Sequence, residues 1–322
     1  MQNGYCGLLW TVFLLFGSSS NCQFEIAVEP YNLGNYYFAL TNSLWVASKC
    51  KTACIVTQPR PQTIFRPRFQ VVLPVGAKLS QNVTKIHGSF YYSVLAKRVP
   101  SNSPTIRERI NTMCSFVESI HQRLAHHVND DLAVFIDNNT LVAHIRSGDI
   151  FTNVIHKKYW QPPLGFYQFA ARLYPKILIC SQTRHNPTVD AFYQFCVETR
   201  GIENCMLRVG KDIVTDVAVL ISAHNLAIGY GTFGAAMYAL AKNLKRLYYQ
   251  PSEEIYLDRP TAMEGEIRCG YTQRVTGIKL LYNETQLTMN KDWTASPQQL
   301  AALLLNDNQL IGLRAETNEN FI

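Results

Sequence analysis

The sequence predicts an α/β protein of two facing domains, each built on a parallel sheet. Three observations carry that expectation. With 322 residues, 47% of them hydrophobic, the chain can bury a sizeable core, in two compact domains or one large one. Two separated segments share the order strand, turn, helix, strand. In the longer segment strands and helices alternate as far as residue 250, which implies a parallel sheet with right-handed crossovers covering both faces.

The first segment, "FEIAVEPYNLGNYYFALTNSLWVASKCKTACIV", predicts a strand at 24–28, a turn containing Gly34 and Asn35, a helix over about 36–47 and a strand at 53–56. A junction near 128–140 follows, where "VNDD" and "DNNT" supply turn chemistry. The second segment opens with an apolar, β-branched strand at 141–145. After a proline-rich loop come a helix near 166–173, the strand "KILICS", a helix near 189–198 and a short strand at 206–209. A helix near 212–223, the strand "LAIGY", a helix near 233–242 and the strand "RLYYQ" complete the alternation. Beyond Pro251 the pattern loosens except at "SPQQ", where Ser296 as N-cap, Pro297 in the first turn and Gln299 form a capping box. The domains read as 1–22 a signal peptide or short anchor, 23–135 the N-terminal domain, 136–255 the C-terminal domain, and 256–322 an extension packing on them as a lid or brace.

The apolar run Gly7 to Phe16, with Gly17 and three serines after it, is too short for a transmembrane helix of about 20 residues. A cleaved signal is the first reading and an uncleaved anchor the second, so any membrane attachment is confined to residues 1–20. Sequons at Asn82, Asn138 and Asn283 suit a lumenal or secreted chain, whereas Asn186 is followed by proline. Outside the leader, Cys22, Cys50, Cys54, Cys114, Cys180, Cys196, Cys205 and Cys269 are even in number, which fits disulfides; Cys180 in its apolar run also reads as a buried thiol. A zinc site is not expected, because Cys50 and Cys54 lack a second close cysteine pair. The net charge of +7 suits an anionic ligand, but the basic residues are dispersed, and nucleic acid is not expected as a partner.

Two motifs could carry chemistry. In "HIRSGD" at 144–149, Arg146 offers a permanently charged, five-donor fork at a strand exit, the geometry suited to a diphosphate, and Gly148 lets the backbone turn close to a ligand. Asp149 could orient that arginine or act as a base. The plain alternative is an Arg146–Asp149 salt bridge beside a buried His144. In "GTFG" at 231–234, Thr232 lies near a helix N-terminus, where N–H groups and a hydroxyl bind phosphate, with Phe233 as a wall. The plain alternative makes Thr232 an N-cap and Phe233 core.

"HIRSGD" resembles the H-x-R-R-x-D motif of the α1,2-, α1,6- and protein O-fucosyltransferases, and "GTFG" before a small-residue helix resembles the later motif of the α1,2 group. Asp216, sixteen residues before Thr232, matches the family spacing, and "NLGNYYFALTNSLWVASK" is similar to the Gly-rich "LGNQMFQYA" segment. The motifs occur in family order over residues 24 to about 250. The resemblance implies a glycosyltransferase B fold of two facing Rossmann-like domains, acceptor side first and nucleotide-sugar side second. It implies GDP-fucose as donor, a glycan hydroxyl as acceptor and inverting transfer without metal or other cofactor. Arg146 would hold the β-phosphate. Thr232 and Phe233 would bind the diphosphate, His144 and Asp216 would contact the nucleoside, and Asn35 would approach diphosphate and sugar from the N-terminal domain. Such a protein works in the secretory pathway, in the Golgi lumen or membrane, or is secreted.

The departures are specific. Ser147 replaces the second arginine, so a second donor is missing or comes from elsewhere, and Tyr36 replaces the usual glutamine after Asn35. "SQTRHNP" follows "ILICS" where an aspartate-rich pair is expected. No D-x-D motif is present to chelate a metal-bound nucleotide. The base is assigned to Asp149, with Glu29 second. Two rival readings stay open: a transferase of another GDP-sugar, and a secreted carbohydrate-binding protein that has lost turnover.

Overall fold

A computed structural model describes residues 118, 120–122, 124–152, 155, 161–250, 275–283 and 292–318, and the backbones of three strands before them. The chain divides into two compact units, residues 1–120 with 266–270, and residues 121–265 with 271–322. In the first unit β1 (Asn21–Val28) lies between β2 (Ala53–Thr57) and β3 (Lys78–Ile86), and both pairings are parallel. The expected 24–28 and 53–56 strands therefore pair as a βαβ unit requires, and β3 is an addition. The helix expected at 36–47, with Glu29, Asn35 and Tyr36, lies outside the described residues.

The second unit is a Rossmann-like α/β layer structure on a seven-stranded sheet. Helix α1 (Asp130–Phe135) occupies the stretch read as turn chemistry; the Asn129 side chain caps it by accepting from the Leu132 N–H, and Asp130 and Asp131 complement its N-terminal dipole. Five strands follow: β4 (Thr140–His144), β5 (Lys176–Ser181), β6 (Cys205–Val209), β7 (Asn225–Ile228) and β8 (Arg246–Tyr249). The connecting helices are α2 (Leu164–Ala171), α3 (Thr188–Arg200), α4 (Ile213–Ser222) and α5 (Thr232–Leu240). The strand order β6-β5-β4-β7-β8 is parallel throughout.

The looser tail adds two strands that its sequence does not announce. Strand β9 (Thr276–Leu281) continues the sheet parallel to β8, and β10 (Arg314–Asn318) closes it antiparallel to β9. Between them α6 (Pro297–Ala302) starts at the expected capping box of Ser296 and Gln299.

One core lies between the sheet and helices α2 and α3, joining Leu141, Ala143, Ile145, Ile177 and Ile179 to Phe166, Tyr167, Val189 and Phe192. Burying each large side chain there stabilises by about 1.5–3 kcal/mol. A second core gathers Ile150, Tyr282, Trp293, Leu303 and Leu310. The tail grips the first turn of α2, because the Leu164 and Gly165 N–H groups donate to the Leu303 and Leu305 carbonyls. Only glycine fits at 165, where a Cβ would lie 2.6 Å from the backbone of Asn306 and Asp307. Among the described residues no helix is long and apolar enough to cross a membrane.

Candidate functional site

From β4 the chain adds β5 and β6 on one side, then crosses over and adds β7 and β8 on the other. The topological switch therefore lies between β4 and β7, where the loops leaving two neighbouring strands diverge and open a crevice at their carboxyl ends. The segment after β4 is "IRSGD" and the segment after β7 is "GYGTFG". Both motifs picked out by sequence flank that crevice.

Side-chain alternation decides what faces it. His144 pairs in register with Cys180 of β5, and Cys180 with Arg208 of β6, so these three side chains form one row on the face covered by α4 and α5. The His144 ring meets Phe233 of α5 at 4.8 Å between centroids. Burial, and then the neighbouring Arg146 guanidinium, pulls the His144 pKa down from 6.5 to about 3, so the imidazole is neutral at physiological pH. A neutral ring donates one hydrogen bond and accepts another.

Arg146 lies beyond the strand end, largely covered, and its Nη2 donates to both oxygens of the half-exposed Asp149 at 3.3 Å. The salt bridge of the plain alternative is thus present. Asp149 also accepts from the Ile150 N–H at 3.0 Å and opens a single 3-10 turn at 149–151. Gly148 at φ 87° makes the corner, with the Gln182 side chain packed where a Cβ would stand. Trp293 Nε1 fastens the turn from below by donating to the Ile150 carbonyl at 2.6 Å.

Ser147 belongs to a buried knot away from solvent. Its Oγ lies 2.6 Å from Thr183 Oγ1 and accepts from the Asn186 N–H, while Asn186 Nδ2 donates to the Arg146 carbonyl at 2.9 Å. Ser147 is 2% exposed, so this position fixes the backbone of Arg146 and presents no charge to the crevice. "SQTRHNP" accordingly acts here as a clamp on the β4 exit.

Asp216 sits in the first turn of α4, 7% exposed, and its Oδ1 accepts from Arg208 Nε at 3.1 Å. Burial raises its pKa, opposed by Arg208. Arg208 also hydrogen-bonds the Cys180 sulfur, which links Asp216 to the row containing His144. Sequence reasoning missed Arg208; its signal was a cation in the apolar strand "CMLRV", two residues before the strand exit at Gly210.

The N-cap of α5 is Gly231, and Thr232 is its first helical residue, which corrects the reading of Thr232 as the cap. Gly231 has no side chain to cap the first-turn N–H groups of α5, which follow the carboxyl end of β7 with the positive end of the helix dipole. Phe233 is partly buried, its ring tilted against that of His144.

His144, Arg146, Asp149 and Phe233 thus come together, Thr232 adjoins them in the backbone, and Asp216 lies on the same face through Arg208. Among the described residues no three His, Cys, Asp or Glu side chains cluster as a metal site would require. No family model, curated protein or solved structure matches the chain.

Proposed function

We propose that the protein is an inverting, metal-independent glycosyltransferase of the glycosyltransferase B type. It moves fucose from GDP-fucose to a glycan hydroxyl in the secretory pathway, most simply in α1,2 linkage. The observation that carries the reading is the meeting of two separated motifs, "HIRSGD" and "GTFG", at the switch crevice of one parallel sheet. An acceptor oxygen attacks the anomeric carbon while the sugar–phosphate bond breaks, so negative charge grows on the departing diphosphate. Arg146 and the first-turn N–H groups of α5 answer that charge from fixed positions. The neutral His144 ring and the Arg208-held carboxylate of Asp216 suit the hydrogen-bonding edges of a nucleoside, and Asp149 takes the acceptor proton.

The test is thermal stabilisation of the purified chain by GDP beside UDP and CMP. At about a hundredfold its dissociation constant a ligand stabilises by about 2.7 kcal/mol, which moves Tm by several degrees. The expected result is stabilisation by GDP alone, lost in Arg146→Ala. A folded chain that responds to none of the three overturns the reading.

One observation favours a second reading. With Ser147 tied into a buried knot, the crevice has one arginine where the family motif has two, as a carbohydrate-binding protein without turnover would allow. Release of GDP from GDP-fucose in the presence of glycan acceptors separates the two: the transferase releases it and the binding protein does not.

A further inference from the structure

Cys196 and Cys205 face each other at one margin of the second unit. Cys196 lies in the C-terminal half of α3, Cys205 begins β6, and both belong to the core between α3 and the sheet. The connection is short and bent back: α3 ends at Gly201, φ 86°, and one 3-10 turn at 202–204 leads into β6. Arg200 holds this corner by donating from Nε and Nη2 to the Tyr174 and Ala171 carbonyls. Both cysteines are buried thiols, and each lies close enough to act on the other's ionisation. Neither belongs to the candidate site.

We propose that Cys196 and Cys205 form an intramolecular disulfide when the chain folds in an oxidising compartment, closing the loop between α3 and β6. The oxidant is a disulfide of the thiol-exchange class. The Cys205 thiolate attacks one of its sulfurs and expels the other as a thiol; the Cys196 thiolate then attacks the Cys205 sulfur of the mixed disulfide and expels the second. Two protons leave the cysteines, their sulfurs are oxidised to one S–S bond, and the oxidant is reduced to two thiols. Cys205 goes first because β6, at one edge of the sheet, leaves it the more open of the two: Cys205 is 7% exposed in the folded chain and Cys196 fully buried, so Cys205 is the last to be covered as the core closes.

Burial raises the pKa of both thiols in the folded chain, only partly opposed by Arg200. Exchange is therefore slow once the core has closed, so the bond forms during folding and afterwards resists reductants. Cys180 has no cysteine beside it among the described residues and stays a thiol. The proposal takes from the proposed function only the oxidising lumen.

The experiment is peptide mapping of the full chain expressed through a eukaryotic secretory pathway, alkylated in denaturant on harvest and digested with trypsin without reduction. Cleavage after Arg184, Arg200 and Arg208 places the two cysteines on separate peptides, 185–200 and 201–208. The expected result is a linked pair, lighter than the sum by two hydrogens and split by reductant, with Cys180 alkylated. Alkylation of both Cys196 and Cys205, or a bond from either to another cysteine, overturns the proposal. In Cys205→Ser, Cys196 should become alkylatable after denaturation without reductant; if it stays blocked, it pairs elsewhere and the proposal fails. Loss of the linked pair with GDP stabilisation intact would sink the disulfide alone.

Discussion

Protonating His144 would set a second cation beside Arg146 against the Phe233 ring, and this gives the folded state a pH limit. The folded His144 takes its proton only near pH 3, whereas the unfolded chain takes it near 6.5. Between those values the unfolded state binds more protons, so this contribution to stability is fully present above about pH 6.5 and is lost as pH falls. The expected slope approaches about 1.4 kcal/mol per pH unit within that window. Urea unfolding of wild type and His144→Gln from pH 4 to 7 measures it: the wild-type curve should fall more steeply. Asp216 gives a second residue-scale prediction. Removing its counter-charge in Arg208→Leu leaves a buried carboxylate unpaired and should cost about 3–5 kcal/mol at pH 7, most of it recovered in Arg208→Leu/Asp216→Leu. Denaturant midpoints of the singles and the double check it, and an additive double would show that the pair is not coupled. At this scale sequence reading found His144, Arg146 and Asp149 because their spacing along one strand exit is local. It missed Arg208 because that ion pair depends on where α4 lies over β6.

Trp293 shows how an element far along the chain supports the crevice. Trp293→Phe keeps most of the buried ring but leaves the Ile150 carbonyl without its donor, at a cost of about 1–3 kcal/mol. The turn at 149–151 should then hold Asp149 less firmly, so GDP stabilisation should weaken in the variant along with Tm; unchanged nucleotide response would uncouple the tail from the site. The helices most legible in sequence were those with local signals. Ser296 and Gln299 announce α6 by side chain alone, and the runs "KILICS" and "LAIGY" announce strands covered on both faces, the second of which forms as Asn225–Ile228. Helix α1 was missed because its Asn129, Asp130 and Asp131 serve equally as turn residues, and tertiary contacts settle the choice. Strands β9 and β10 were missed because only their pairing at the margin of an existing sheet makes "TGIKLL" and "RAETN" strands.

On the scale of the whole second unit, one sheet is assembled from two distant stretches of chain. Strand β8 is an interior strand only because β9 pairs with it, and Trp293, Leu280 and Leu303 fill cores that residues before 251 cannot complete. A chain ending at residue 250 should therefore fail to fold cooperatively, with loss of the unfolding transition seen by near-UV circular dichroism; a sharp transition would show that the tail is dispensable. The alternation of strands and helices made the parallel sheet legible, and the strand order then located the crevice between two motifs that sequence had already singled out.

The outermost strand has one more consequence. Strand β10 ends the sheet with its residues Arg314 to Thr317 exposed, and Arg314 and Glu316 place opposite charges on alternate positions along it. A second molecule adding antiparallel about Glu316 would set that carboxylate against its own copy, which is destabilising, while the strand itself is short and polar. That register is thereby disfavoured, and Glu316→Val, which removes the repulsion and adds an apolar β-branched residue at an exposed edge, should raise the light scattering of concentrated solutions above that of wild type.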